Sequence, residues 1–393
     1  MADHPLKSAI DHSLGRPLPY QQTNQVQAHP MVHKAFSVKT RLNVLFVNNV
    51  DGDQIHEVLK KLSPKSTLFI VVSKTFTTIE TITNADIAKK WFASNEKNKD
   101  ISKNFIAVSS NAKAVKEFGI HDSNIFPIWD WVGGRFSLWG SVGLAINLLI
   151  GSKNFNDLLI GANEMDDHFK SGPISKNIPL LAACISIWYN NFFDYETHAI
   201  IPYNQNMNSF SAYLQQASME SNGKQSSRNG EFIDYQSGSI IWGQVGTNAQ
   251  HSFFQLLHQG TKIIPCDFIG FSNPQNNNIR SHQILMANFF AQTKALMIGK
   301  KDDNAHKHFK GDRPTNTILI KKLSPKNLGS LIALYEHKIF SVGVILNLFS
   351  FDQFGVELGK KLANDILKSI KEKSSINNDS STENLLNEFF DSI

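Results

Sequence analysis

The six residues Ser73-Lys74-Thr75-Phe76-Thr77-Thr78 carry five hydrogen-bonding side chains between an apolar run at 68–72 and a stretch of helical period from 81. A dianionic phosphate needs such a place. Free N–H groups, hydroxyl donors and the positive end of a helix dipole converge where a parallel strand hands over to a helix. A capped Ser/Thr turn would use the same residues, but the strand, loop and helix order favours the phosphate. Further on, Gly133-Gly134-Arg135 puts two glycines before an arginine, with Ser137 placed to cap a helix over 138–150. Paired glycines let main chain approach a ligand, and an arginine that stays protonated and forks its donors suits a developing oxyanion. The alternative is a tight turn whose arginine makes a surface ion pair.

Glu220 lies in a polar, glycine-containing bend at 216–224, after a helical stretch at 207–215. In a dry pocket such a carboxylate can act as a general base, although a lone glutamate is usually solvated. His251 falls in the first turn of a helix expected over 249–259. There the dipole would oppose protonation and favour a neutral imidazole able to shuttle a proton, but a histidine at a helix start is more often structural. Gln353 and Lys360 stand seven apart in a stretch of helical period, so two turns would bring them to one face.

The elements that must position these residues alternate. Strand candidates at 42–47, 68–72 and 105–108 are each followed by a helical pattern, at 54–62, 81–92 and 112–118. Strands and helices at this pitch predict a parallel sheet covered on both faces. Helices are expected at 154–169 and 180–193, then strands again at 199–202, 239–242, 262–269 and 317–320, with helices at 249–259 and 281–296 between them. The resulting division is an irregular segment at residues 1–40, a first α/β domain at 41–152, a helical connection at 153–195, a second α/β domain at 196–366, and a tail at 367–393 that could close with a short docked helix.

Composition narrows the function. The chain has 393 residues, 41% hydrophobic and 19% charged, and a formal charge of only +5 from 39 Lys and Arg against 34 Asp and Glu. That balance is globular and presents no dense basic face, which argues against nucleic acid. The longest apolar stretches break before about 18 residues, and the start lacks the apolar block of a secretory signal, so neither a membrane nor export is expected. Two cysteines, Cys184 and Cys266, cannot make a disulfide framework, and a reducing cytoplasm is the expectation. The 14 histidines show no metal-ligand spacing, and no dinucleotide fingerprint occurs, so neither metal nor cofactor is expected.

Taken together, the segments 72–78, 129–137, 219–224, 246–251 and 351–360, with Arg313-Pro314-Thr315-Asn316 and the Tyr335-Glu336-His337 stretch, resemble the glucose-6-phosphate isomerase, or phosphoglucose isomerase, family. The resemblance runs from about Leu42 to Ile366. It implies two sugar-isomerase-type (SIS) α/β domains, each a mainly parallel sheet flanked by helices, and the reversible conversion of glucose 6-phosphate to fructose 6-phosphate in glycolysis and gluconeogenesis. By the same resemblance Ser73, Thr75 and Thr78 hold the phosphate, with the main chain of Lys74. Glu220 carries the proton between C1 and C2, and Arg135 steadies the enediolate. His251 and Lys360 open and close the ring, while Gln216 and Gln353 line the pocket. A homodimer is implied, with the His251 equivalent supplied by the neighbouring subunit. The family's upstream glycine-rich loop has no counterpart, its place being taken by residues 21–26. That difference raises the alternative of a catalytically impaired sugar-phosphate binder or a truncated, nonfunctional fragment.

Overall fold

The computed structural model describes residues 28–36, 42–96, 100–373 and 378–392. The chain divides into two units, Met1–Ser350 and Phe351–Ile393. The stretch at 21–26, where the glycine-rich loop would stand, lies outside the described residues.

The first unit opens with helix α1 (Ala28–Ala35), followed by α2 (Gly52–Leu59), β1 (Phe69–Val72), α3 (Ile79–Asn95), β2 (Phe105–Ser109), α4 (Ala112–Phe118) and β3 (Ile125–Pro127). The three strands form a parallel sheet in the order β1-β2-β3, with Val71 beside Ala107 and Val108 beside Phe126. Alternating side chains feed two layers, as a sheet covered on both faces requires. Val71, Phe105 and Ala107 enter a core with Ala85, Phe92 and Val115, whereas Val108 turns to the opposite face with Ile128 and Val142.

Helices α5 (Leu144–Ile150), α6 (Ser152–Ser171) and α7 (Ile178–Phe192) connect this sheet to a second one. Its strands are β4 (Thr197–Pro202), β5 (Ile240–Trp242), β6 (Cys266–Asn273) and β7 (Thr315–Lys322), all parallel, in the order β5-β4-β6-β7. Between β4 and β5 lies α8 (Phe210–Leu214), α9 (Phe254–Gln259) follows β5, and α10 (Ile279–Ile298) follows β6. Ala199, Ile201, Cys266 and Phe268 pack under α9 and α10, while Ile200, Ile269 and Phe271 face the other core.

That other core is organised by α11 (Pro325–Ile345). The helix is long and apolar enough to cross a bilayer, contrary to the expectation of no such stretch, but 72% of its apolar window is buried inside the protein. It is a core helix. Gly329 lets it approach α6 backbone to backbone: a Cβ there would stand 2.0 Å from the Leu158 carbonyl oxygen, and one on Gly161 would stand 1.8 Å from that of Lys326.

Asp267, on β6, is the polar centre of this face. His198 Nε2 stands 2.9 Å from its Oδ1, the Asn316 amide donates to Oδ1 at 2.8 Å, and the Tyr335 hydroxyl donates to Oδ2 at 2.8 Å. Lys338 Nζ lies 3.8 Å away. Burial alone would raise the carboxyl, but His198, Lys338 and the hydrogen bonds together hold it well below its usual range. The carboxylate therefore stabilises the fold above its unfolded pKa of about 3.9, and that contribution is lost as the pH falls towards the lower folded value. Asp267→Asn should cost about 3–5 kcal/mol in urea unfolding at neutral pH, because buried partners lose their counter-charge. Its deficit should shrink in unfolding curves taken progressively below about pH 4.

Several expectations need correction. Residues 28–35 are not irregular but helical: Met31, Val32 and Ala35 make one apolar face, with Phe36 in the turn just beyond, and all four are buried. The run at 42–47 is not a strand. Val44, Phe46 and Val47 pack against the cores, but the segment joins no ladder. Ser137 does not cap a helix over 138–150. It ends a 3₁₀ turn (Gly134–Phe136), its hydroxyl donating to the Gly134 carbonyl; a second 3₁₀ turn (Ser141–Gly143) follows, and α5 starts only at Leu144.

The second unit holds a 3₁₀ turn (Phe354–Val356), α12 (Glu357–Glu372) and α13 (Ser380–Asp391). Gln353 precedes the turn, with φ −149°. It is therefore off the helix that carries Lys360, and the two residues do not share a helix face by two-turn spacing. The expected closing helix is α13, with Leu386 buried.

Candidate functional site

The turn at 73–78 joins the carboxyl end of β1 to the amino end of α3, the edge where open α/β sheets receive ligands. Its shape is imposed from below. Phe76 takes a left-handed backbone, φ 55°, a conformation that a bulky residue adopts only when its surroundings compel it. Here the ring is buried in the first core and meets Phe118 edge-on at 5.7 Å. The end of β2 fastens the main chain: Ser109 and Ser110 hydroxyls donate to the Lys74 carbonyl at 2.9 and 2.7 Å, and the Asn111 amide donates to that of Thr75 at 3.0 Å. Those two carbonyls are thus occupied by donors from β2 and do not face an incoming anion. Ser73 Oγ stands 3.5 Å from Thr78 Oγ1, and Thr75 and Thr77 hydroxyls share a 2.7 Å bond.

The Lys74 side chain does something the sequence did not suggest. It is buried and donates to the carbonyls of Asp130 and Val132 at 2.7 and 3.3 Å, and burial holds its ammonium pKa below the ordinary value. It therefore ties the 73–78 turn to the loop that leads into Arg135.

Arg135 sits in a 3₁₀ turn, Gly134–Phe136. Nε donates to Ser221 Oγ at 2.7 Å and Nη2 donates to the Ser350 carbonyl at 2.5 Å, while Nη1 lies 3.6 Å from Glu220 Oε2. The guanidinium is 4% exposed and the carboxylate 15%, so their charges meet in a poorly solvated place. Nε and Nη2 meet neutral oxygens, and Nη1 faces the carboxylate with a single contact. Glu220 is consequently not locked into a bidentate pair and keeps an oxygen able to take a proton.

Glu220 is helical, which corrects the expected bend. After α8 the helix widens into a π turn, Gln215–Met219, and Glu220–Asn222 resumes α geometry before the chain bends at Gly223. Such π turns recur at functional sites because one extra residue re-aims the side chains beyond it. Gln216 lies in that turn, four residues before Glu220. Asn222 secures the end of the helix, donating to the Ile339 carbonyl at 3.0 Å and accepting from Ser350 Oγ at 2.7 Å.

His251 ends a 3₁₀ helix, Asn248–His251, ahead of α9, so it does not sit in the first turn of an α-helix over 249–259. It is exposed, and among the described residues no hydrogen bond or ion pair joins it to Arg135 or Glu220. Lys360, on α12, and Gln353 belong to the second unit. Sequence reasoning does not find Ser221 and Ser350, which hold the arginine. Ser221 could be suspected from its place beside Glu220, but nothing marks Ser350.

The family model for phosphoglucose isomerase matches residues 28–386. The chain belongs to the phosphoglucose isomerase family. The match is longer than the stretch from Leu42 to Ile366 over which the motifs resemble the family, and it takes in α1. The chain is 55% identical over 367 residues to a glucose-6-phosphate isomerase of Christiangramia forsetii, covering 88% of this chain and 68% of that relative. Among solved structures it resembles a glucose-6-phosphate isomerase from Chlamydia trachomatis, with a TM-score of 0.84, 36% identity, and coverage of 95% of this chain and 72% of that one. A hypothetical protein from Thermus thermophilus shares the fold at a TM-score of 0.73 and 21% identity, over 92% of this chain and 87% of that chain.

Proposed function

We propose that this chain interconverts D-glucose 6-phosphate and D-fructose 6-phosphate through an enediolate. The observation that carries this reading is the placement of the Glu220 carboxylate 3.6 Å from the buried Arg135 guanidinium, in a chain of this family. The reaction moves one proton between adjacent carbons and is redox-neutral overall. Glu220 takes the proton from C2 of the open aldose and returns it at C1, while Arg135 balances the negative charge that develops on the enediolate oxygens. The 73–78 turn holds the phosphate through Ser73, Thr75, Thr78 and the Lys74 main chain, at the positive end of α3. Gln216 and Gln353 line the pocket, and His251 and Lys360 shuttle the proton that opens the sugar ring.

The proposal includes a cytoplasmic homodimer with His251 supplied by the neighbouring subunit, supported by the family resemblance. Turnover is favoured over a binding-only role because a carboxylate and a guanidinium, the residue types the reaction needs, stand 3.6 Å apart. Purified full-length chain, assayed in both directions with coupled dehydrogenases, should isomerise the two sugar phosphates and be inhibited competitively by inorganic phosphate. Tight sugar-phosphate binding in calorimetry without turnover would refute the isomerase reading.

A further inference from the structure

Trp139 and Tyr213 stand on the two segments that carry the proposed pair. Trp139 is four residues beyond Arg135, and Tyr213 is seven residues before Glu220. One side chain joins them. Glu336, on α11, accepts from the Trp139 indole N–H through Oε2 at 2.8 Å and from the Tyr213 hydroxyl through Oε1 at 3.0 Å. We propose that Glu336 is a positioning residue that clamps the Arg135 segment and the Glu220 helix onto one rigid helix and so sets their separation. The inference rests on the isomerase reading of that pair.

The need for a clamp is local. From Gly134 to Gly143 the chain makes only two 3₁₀ turns and belongs to neither a strand nor an α-helix, so side chains must hold it. Leu138 anchors it in the core, but apolar contact fixes position less sharply than a directed hydrogen bond. On the other side the π turn between Tyr213 and Glu220 departs from regular helix, and a fixed point before it limits how that turn can shift. α11 can serve as the frame because thirteen of its residues are buried.

The setting also explains why a carboxyl is used. The residue keeps some exposed surface, but its carboxyl lies among Trp139, Tyr213 and, near it, Asp166, and burial pushes its pKa up to about 8. Its two oxygens each accept from one of these donors; glutamine keeps an acceptor for the Trp139 N–H and can donate to the Tyr213 oxygen in the same shape, whereas leucine keeps the volume and offers neither.

Full-length Glu336→Leu and Glu336→Gln should be compared with the unchanged protein in steady-state kinetics and in amide hydrogen exchange of residues 133–143 and 215–222, with Phe105–Ser109 as the internal control. Glu336→Leu should lower kcat per folded molecule by about 10²-fold, the cost typical of an ångström-scale misplacement, with KM nearly unchanged and faster exchange in both segments. Glu336→Gln should restore both. A kcat unchanged in Glu336→Leu, or exchange unchanged in both segments, would overturn the clamp. Absence of turnover in the unchanged protein would instead sink the isomerase reading, and the exchange comparison would still decide the clamp. Should Glu336→Leu fail to fold, Trp139→Phe and Tyr213→Phe, each removing one bond, carry the same comparison.

Discussion

Glu220→Gln should bind glucose 6-phosphate about as well as the unchanged protein and turn it over about 10³-fold more slowly, the loss expected when a positioned general base is removed. The amide keeps the size of the carboxylate and can still face the Arg135 guanidinium, but it cannot accept the C2 proton. The effect should therefore fall on kcat and leave KM almost unmoved, the pattern of an interaction made in the transition state alone. Proton NMR of the sugar in D2O provides a second check, because the unchanged protein should introduce deuterium at C2 and Glu220→Gln should not. Equal turnover by the two proteins would remove Glu220 from the reaction.

Arg135→Lys is expected to be nearly as damaging despite keeping the charge. The guanidinium donates from different nitrogens to Ser221 Oγ and the Ser350 carbonyl while a third nitrogen faces Glu220. An ammonium cannot reproduce that planar fork, so the charge shifts and at least one buried acceptor is left unmatched. Turnover should fall by about 10²–10³-fold, the range seen when one oxyanion donor is lost. Urea unfolding should show a loss of about 1–3 kcal/mol from the unmatched acceptor. A lysine variant with unchanged kcat and unchanged stability would contradict both roles assigned to the fork.

What could be read from the sequence was what local chemistry determines. The β1 and β2 strands and the turn between β1 and α3 were legible because an apolar run, a cluster of hydroxyls and a helical period succeed one another without interruption. The segment at 42–47 shows the limit of that reasoning. Its apolar residues do pack inward, but an apolar run reports burial and not whether a neighbouring strand is within reach to form a ladder. α1 was hidden because Pro30 and the surrounding glutamines suggest a loop, although proline is tolerated in a helix's first turn.

The site was legible in its residue types and less so in its geometry. Glu220 and Arg135 are far apart in sequence, and only the fold brings them together. The π turn was invisible because the helical period at 207–215 gives way to a polar stretch that reads as a bend at 216–224, and no local pattern marks a widened turn, yet that widening sets where Glu220 points. Gln353 and Lys360 have helical spacing, but the 3₁₀ turn between them breaks the period. Ser350 and the clamp through Glu336 are tertiary contacts across more than a hundred residues, and no local pattern encodes them.

The most direct measurement is a crystal structure of Glu220→Gln with glucose 6-phosphate bound. The account predicts one molecule whose phosphate sits at Ser73, Thr75 and Thr78 while its C1 and C2 lie against position 220 and the Arg135 guanidinium. A phosphate bound elsewhere, or a sugar whose first two carbons are out of reach of that pair, would contradict it.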